Sequence, residues 1–144
     1  MTSVHNVAAY ILRKFGPMTA MKLQKLVYYS QAWSLVWEER VLFSEPIQAW
    51  ANGPVVPELY ARHRGQLQVK DWQWGNPDAL DPKDQDTVDA VIKFYGDKTA
   101  QWLSDLTHRE DPWREARQGV PPGDWSSNEI SPASMHEYYS GLQS

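Results

Sequence analysis

The fold of this chain is decided by residues 21–33, which read MKLQKLVYYSQAW. Their spacing predicts a helix from Thr19 to about Arg40. A helix that is apolar on nearly every side is usually the buried centre of its domain. Gln31 lies in its middle, and since a buried amide needs hydrogen-bond partners, we expect a local polar network around it. The apolar positions of this helix include Leu23, Leu26, Val27, Tyr28, Tyr29, Trp33, Leu35, Val36 and Trp37.

Further helices are predicted on both sides of this one. The first follows the possible N-caps Thr2 and Ser3 and ends at Gly16-Pro17. Glycine can adopt the left-handed conformation at a helix end, and proline cannot continue the helical hydrogen bonds. In the second half, a capping side chain precedes a proline at the first helical position three times. These pairs are Asp81-Pro82, Asp111-Pro112 and Ser131-Pro132.

Between these helical regions the pattern changes. Residues 41–51 and 66–74 alternate briefly and predict two short strands. Asn52-Gly53-Pro54 is a turn signal, and Pro57 can open a helical segment that runs through Arg62. We therefore expect a mainly α, compact fold with a small two-to-three-stranded β element between helices 2 and 4, built as a single domain over residues 1–144.

Composition narrows the range of functions. The 144 residues carry a net charge of −4, so a general phosphate-binding surface is not expected and nucleic acid is an unlikely partner. Cysteine is absent, which excludes disulfides, thiolate metal sites and cysteine nucleophiles. The four histidines lie far apart and phosphate-binding glycine motifs are missing, so we expect no metal and no cofactor. No apolar run is long enough to cross a bilayer, and we expect a cytoplasmic protein.

The densest polar cluster is THREDPWR at residues 107–114. In a catalytic interpretation, His108 moves protons and is oriented by Glu110 or Asp111. In the structural interpretation, which we favour, Asp111 caps a helix and Trp113 docks that helix on the core. Since a cap, a proline and an aromatic residue already account for much of the cluster, we expect no enzyme.

Two other segments are candidates for recognition. The turn from Trp50 to Val56, flanked by Tyr60, is rigid enough to present a surface, although glycine and proline also serve a purely structural turn. Lys22 and Lys25 share a helix face, where they could meet an acidic partner or simply be solvated.

These segments together resemble the Panacea domain family, which includes SocA-like antitoxins and phage-associated GepA-like proteins. The matching stretches are MKLQKLVYYSQAW at 21–33, LFSEPIQAWANGPVVPELY at 42–60 and LTHREDPW at 106–113, with a similar terminal pattern from Ile130 to Leu142. The resemblance implies an antitoxin that neutralises a cognate toxin protein by binding it directly. Alarmone-synthetase-like enzymes and other translation inhibitors are among the implied toxin classes, and some members deliver the toxin to a protease.

The resemblance also supplies recurring residues, many of which we expect to be structural because a domain with many partners keeps a common scaffold. Segments 66–75 and 119–126, the latter with Trp125, are rival interface candidates. The alternative functions are a small enzyme using the His108 and Asp111 cluster, an adaptor that delivers the toxin to a protease, and a DNA-binding regulator, and the oligomeric state stays open. The predicted partner-binding or motif residues are Lys22, Lys25, Tyr28, Trp50, Asn52, Gly53, Pro54, Val55, Tyr60, Trp72, Trp74, His108, Asp111 and Trp113.

Overall fold

A computed structural model describes residues 1–143 of the chain and confirms a mainly helical fold. A short 3₁₀ helix, Pro77–Ala79, lies among the longer elements. The α-helices of the described residues are Val4–Phe15 (α1), Ala20–Trp37 (α2), Pro57–His63 (α3), Pro82–Tyr95 (α4), Ala100–His108 (α5), Asp111–Ala116 (α6) and Pro132–Gln143 (α7).

Helix α2 is the centre of the fold, as its all-round apolar sequence predicts. It packs against α1, α4, α5 and α7, and its Leu23, Tyr28 and Tyr29 are almost fully buried. The expected polar network at Gln31 is also present. Its amide donates to the carbonyl of Phe43 at 2.7 Å and accepts from the backbone N–H of Leu42 at 2.6 Å, which fixes the segment after α2.

The β structure is divided into two small antiparallel sheets. Strands Gln48–Trp50 (β2) and Gly53–Val55 (β3) form a hairpin in which Trp50 faces Gly53. Strands Met18–Thr19 (β1) and Gln68–Val69 (β4) form the other sheet. Strand β2 lies within the predicted strand at 41–51, but β3 begins inside the predicted turn and was not expected as a strand. The predicted strand segment at 66–74 supplies β4, which pairs with residues before α2.

Most helix ends follow the predicted capping chemistry. The side chains of Ser3, Thr19 and Asp81 each accept a hydrogen bond from the first turn of α1, α2 and α4. Ser131 does the same for α7 through the N–H of Ser134. The prediction for Asp111 is wrong: Glu110 occupies the N-cap position of α6, and no side chain caps that helix.

The helices of residues 1–143 include none that is both long and apolar enough to cross a membrane.

A buried motif cluster and an aromatic groove as candidate functional sites

The lysine at position 25 is a buried part of the core. Its side chain is fully inaccessible to solvent, and its Nζ donates to the carbonyl oxygen of Pro54 at 3.2 Å. None of the ion pairs among residues 1–143 includes Lys25. Burial therefore lowers its pKa from the ordinary 10.5 to about 7. The predicted solvent-facing pair of lysines is thus wrong, because Lys25 points inward and Lys22 donates to the carbonyl of Gly96.

Gly53 makes room for this lysine. Its φ of +123° is a conformation that side chains rarely adopt, and a Cβ added there would lie 2.6 Å from the Lys25 Cε. The turn is therefore a socket for a core side chain, and Gly53, Pro54 and Val55 are all buried. Asn52 is the exposed residue of the turn.

Gln24 ties the end of the hairpin to α3. It donates to the carbonyl of Val56 at 3.2 Å and accepts from the N–H of the same residue at 2.8 Å. Its amide nitrogen also lies 3.0 Å from the His63 Nε2, and burial lowers the pKa of that histidine. These contacts satisfy a buried amide and fix the exit of the hairpin.

The cluster at residues 107–114 does not bring its histidine and acids together. His108 stacks on Trp113 with ring centroids 4.0 Å apart, and burial is the main cause of its lowered pKa. Trp113 donates to the Trp50 carbonyl at 2.8 Å, which docks α6 on the hairpin as predicted. Glu110 instead contacts tyrosines of α2 and α7, and Asp111 is exposed. A shared proton-transfer site is not formed.

We refer to Gln24, Lys25, Gly53, Pro54, His63, His108 and Trp113 as the motif cluster. These residues are buried or half-buried and bond mainly to one another and to the hairpin backbone. Tyr28 is equally inaccessible, because it packs in the core against Tyr139. The arrangement holds the hairpin against α2, α3 and α6.

A second site, on another part of the surface, is an aromatic groove of about 660 Å³. It is formed by the C-terminal half of α2, by α4 and α5, by the residue before α6 and by the end of α7. Its described lining residues are Trp33, Trp37, Ala90, Val91, Phe94, Tyr95, Trp102, Leu106, Glu110 and Leu142.

Several of these side chains leave large apolar areas open to solvent. Phe94 is 71% exposed and Leu142 54%, while Trp37 and Trp102 are each 41% exposed. Single exposed apolar residues are ordinary, but a contiguous set around a concavity marks an interaction surface. The groove is thus the strongest candidate for partner contact on this molecule.

Glu110 lines the groove and is only 5% exposed. Its Oε1 accepts hydrogen bonds from the hydroxyls of Tyr29 at 2.7 Å and Tyr139 at 2.8 Å. Burial raises the pKa of this carboxyl, and the two hydroxyls oppose that shift. Beside it, the Trp33 indole N–H donates to the Tyr95 hydroxyl at 3.0 Å, which orients the aromatic wall.

The residues that the sequence offered as rival interfaces lie elsewhere. Trp72 is buried and donates to the His5 Nδ1 at 3.0 Å, while Trp74 packs on its edge and stays partly exposed. Trp50 and Tyr60 are half-buried and meet edge to face, 4.9 Å apart. Trp125 is 70% exposed on the loop before α7. Sequence reasoning missed the groove, although the i,i+4 pair Trp33 and Trp37 was a usable signal.

A family model described as "Antitoxin SocA-like, Panacea domain" matches residues 23–114, from the first turns of α2 to α6. The chain belongs to the SocA-like antitoxin family. The matched part of this Panacea domain contains the whole motif cluster and most of the groove, but not Leu142 of α7. Searches of curated proteins and of solved structures gave no match.

The described part of the Panacea domain also has no metal-binding constellation. Within residues 1–143, no group of three or more His, Asp or Glu side chains is arranged to hold an ion. The chemistry that the groove can offer is therefore apolar contact, ring stacking and one buried carboxyl.

Proposed function

We propose that this protein is an antitoxin that neutralises a cognate toxin protein by binding it directly through the aromatic groove. The observation that carries the proposal is the exposure of Trp37, Phe94 and Trp102 around one concavity in a domain of an antitoxin family. Interfaces of this kind gain most of their binding energy from a few aromatic anchors that become desolvated. Translation inhibitors, including alarmone-synthetase-like enzymes, are the toxin classes we favour. We further propose that the antitoxin meets its toxin in the cytoplasm.

The net charge of −4 supports this choice of partner. A toxin that engages RNA carries basic surface, and opposite charge speeds the encounter of two proteins. Helix α2 is too deeply buried to enter a DNA groove, which speaks against the alternative of a DNA-binding regulator. An enzyme centred on His108 is also disfavoured, because that ring is stacked on Trp113 and Glu110 faces the groove instead.

The proposal is tested by the growth of cells that express the adjacent gene with and without this protein. Growth arrest that co-expression relieves supports neutralisation, and a co-purified intact complex supports inhibition over delivery to a protease. If the neighbour arrests growth and co-expression gives no relief, neutralisation of that partner is refuted.

A matched pair of variants then locates the interface. Trp102→Asp places a charge in the groove, whereas Trp125→Asp places the same charge on an exposed loop outside it. We expect the first to abolish the growth rescue and the second to keep it. The reverse pattern would move the interface to segment 119–126.

A further inference from the structure

The carboxyl of Glu110 is bonded on one side only. The hydroxyls of Tyr29 and Tyr139 both donate to Oε1, and no side chain described in residues 1–143 donates to Oε2. The ion pairs of the described residues do not include Glu110 either. The carboxyl of a residue that is only 5% exposed thus lines an apolar groove with no cation of the described residues at ion-pair distance, although the more distant charge of Arg109 also lowers its pKa against the larger effect of burial.

We propose that the groove binds a lysine side chain that projects from an apolar segment of the toxin, with the ammonium group on Oε2 of Glu110. This inference rests on the proposed function and adds the chemistry of the anchor. A buried carboxylate is costly unless it is paired, so a partner that brings a cation gains affinity that a purely apolar partner does not.

The geometry favours lysine over arginine. A guanidinium binds a carboxylate best through two parallel hydrogen bonds, one to each oxygen. Here Oε1 already accepts two hydroxyls, from Tyr29 and Tyr139, so one oxygen is left for the partner. An ammonium group is a point charge that needs only that oxygen.

The walls of the groove suit the rest of the lysine. Trp33, Trp102 and Leu106 line it and offer apolar surface to the four methylenes of the side chain. Aromatic faces near an ammonium group add cation–π attraction, which is stronger when water is excluded. The Trp102 ring already has one such contact within the chain, since the Lys98 Nζ lies 4.9 Å from its ring centroid.

The first test uses hexylammonium and 1-hexanol as probes, each titrated into the whole protein while the indole N–H signals of Trp33 and Trp102 are followed by NMR. We expect hexylammonium to bind at least about tenfold more tightly than hexanol, since hydrogen bonds to charged groups have that strength. Glu110→Gln retains an oxygen for the tyrosines and should remove the preference. Equal binding of the two probes to the wild type, no response of these signals, or a preference that survives Glu110→Gln overturns the inference.

The second test uses the adjacent-gene toxin. Each toxin lysine is changed to methionine, and its binding is measured against the wild type and against Glu110→Gln. We expect one lysine whose change costs about tenfold with Glu110 and nothing with the glutamine variant. If Trp102→Asp abolishes binding but no lysine couples to Glu110, the lysine anchor is wrong while the proposed function stands. If the toxin does not bind at all, the proposed function itself fails.

Discussion

The motif cluster and the aromatic groove are built on the same helices and differ in what they expose. The first half of α2 inserts Lys25 into the hairpin, and its second half presents Trp33 and Trp37 to the groove. The motif cluster turns most of its polar groups inward, although the buried His108 Nε2 has no hydrogen-bond partner among the described residues, whereas the groove leaves Trp37, Phe94 and Trp102 partly or largely open to solvent. Most of the motif residues predicted from the sequence thus hold the fold, and the groove that we propose as the binding surface lies beside them.

The largest effect is expected at the socket of the motif cluster. Gly53→Ala adds a methyl group 2.6 Å from the Lys25 Cε at a φ of +123°, so we expect a loss of about 3 kcal/mol in the free energy of unfolding. Urea denaturation measures it. Gly123→Ala is the control, since it also has a positive φ but nothing within 4 Å, and it should lose only about 1 kcal/mol. Equal losses of stability in the two variants would show that the Lys25 side chain moves aside for the added methyl group without cost.

The second largest effect is expected in the groove, where a substitution should weaken toxin binding and leave folding nearly unchanged. Trp102→Ala removes an aromatic anchor, and we expect toxin affinity to fall by about 2 kcal/mol, roughly 30-fold. Its free energy of unfolding should change by less than about 1 kcal/mol, because the ring is 41% exposed. Calorimetric titration and urea denaturation of the same variant separate the two. A loss of stability without a loss of affinity would assign Trp102 to the scaffold.

A smaller effect is expected at Lys25, whose burial should make the stability of the protein depend on pH. The folded-state pKa of about 7 lies below the ordinary 10.5, so the unfolded state binds more protons between these values and wild-type stability rises with pH there. Lys25→Met has no charge to bury. We expect it to be about 1–2 kcal/mol more stable than the wild type at pH 6, and we expect the order to reverse before pH 10, because the folded wild type loses its buried charge above about pH 7 while the unfolded chain keeps it. Melting temperatures of both proteins across this range provide the check, and a pH-independent difference would contradict it.

The smallest effect lies beside Glu110, where the two regions meet. Asp111 makes no capping hydrogen bond, and we expect Asp111→Ala to change the free energy of unfolding by less than about 0.5 kcal/mol. Asp81 accepts from the N–H of Asp84, so Asp81→Ala should cost about 1 kcal/mol. Thermal unfolding measures the loss of stability in both variants. A larger loss for Asp111→Ala than for Asp81→Ala would show that Asp111 does cap α6.

Local chemistry made much of the fold predictable. Asp81-Pro82 and Gly96 bound α4 as their capping preferences indicate, and Gln31 found the partners that a buried amide requires. The pairing of β1 with β4 was not predictable, because it joins Met18 to Val69 across the intervening α2 and α3. The burial of Lys25 was not predictable either, since a lysine near the start of a helix is normally solvated. Lys25 is buried here because Gly53, which has no side chain, leaves space for it.

The candidate site was less accessible to sequence reasoning than the fold. Glu110 reads as part of a polar run with His108 and Asp111, yet its hydrogen-bond partners Tyr29 and Tyr139 come from 81 and 29 residues away. The groove exists only where α2, α4, α5 and α7 converge, and no short window contains that convergence.

The position of Leu142 at the rim of the groove bears on how the protein should be handled in the laboratory. A purification tag fused after Ser144 would be separated from Leu142, a lining residue of the groove, by only two residues. Such a fusion could hide the interaction that the experiment seeks. Capture experiments are best made with the tag ahead of Met1, which is 81% exposed and does not line the groove.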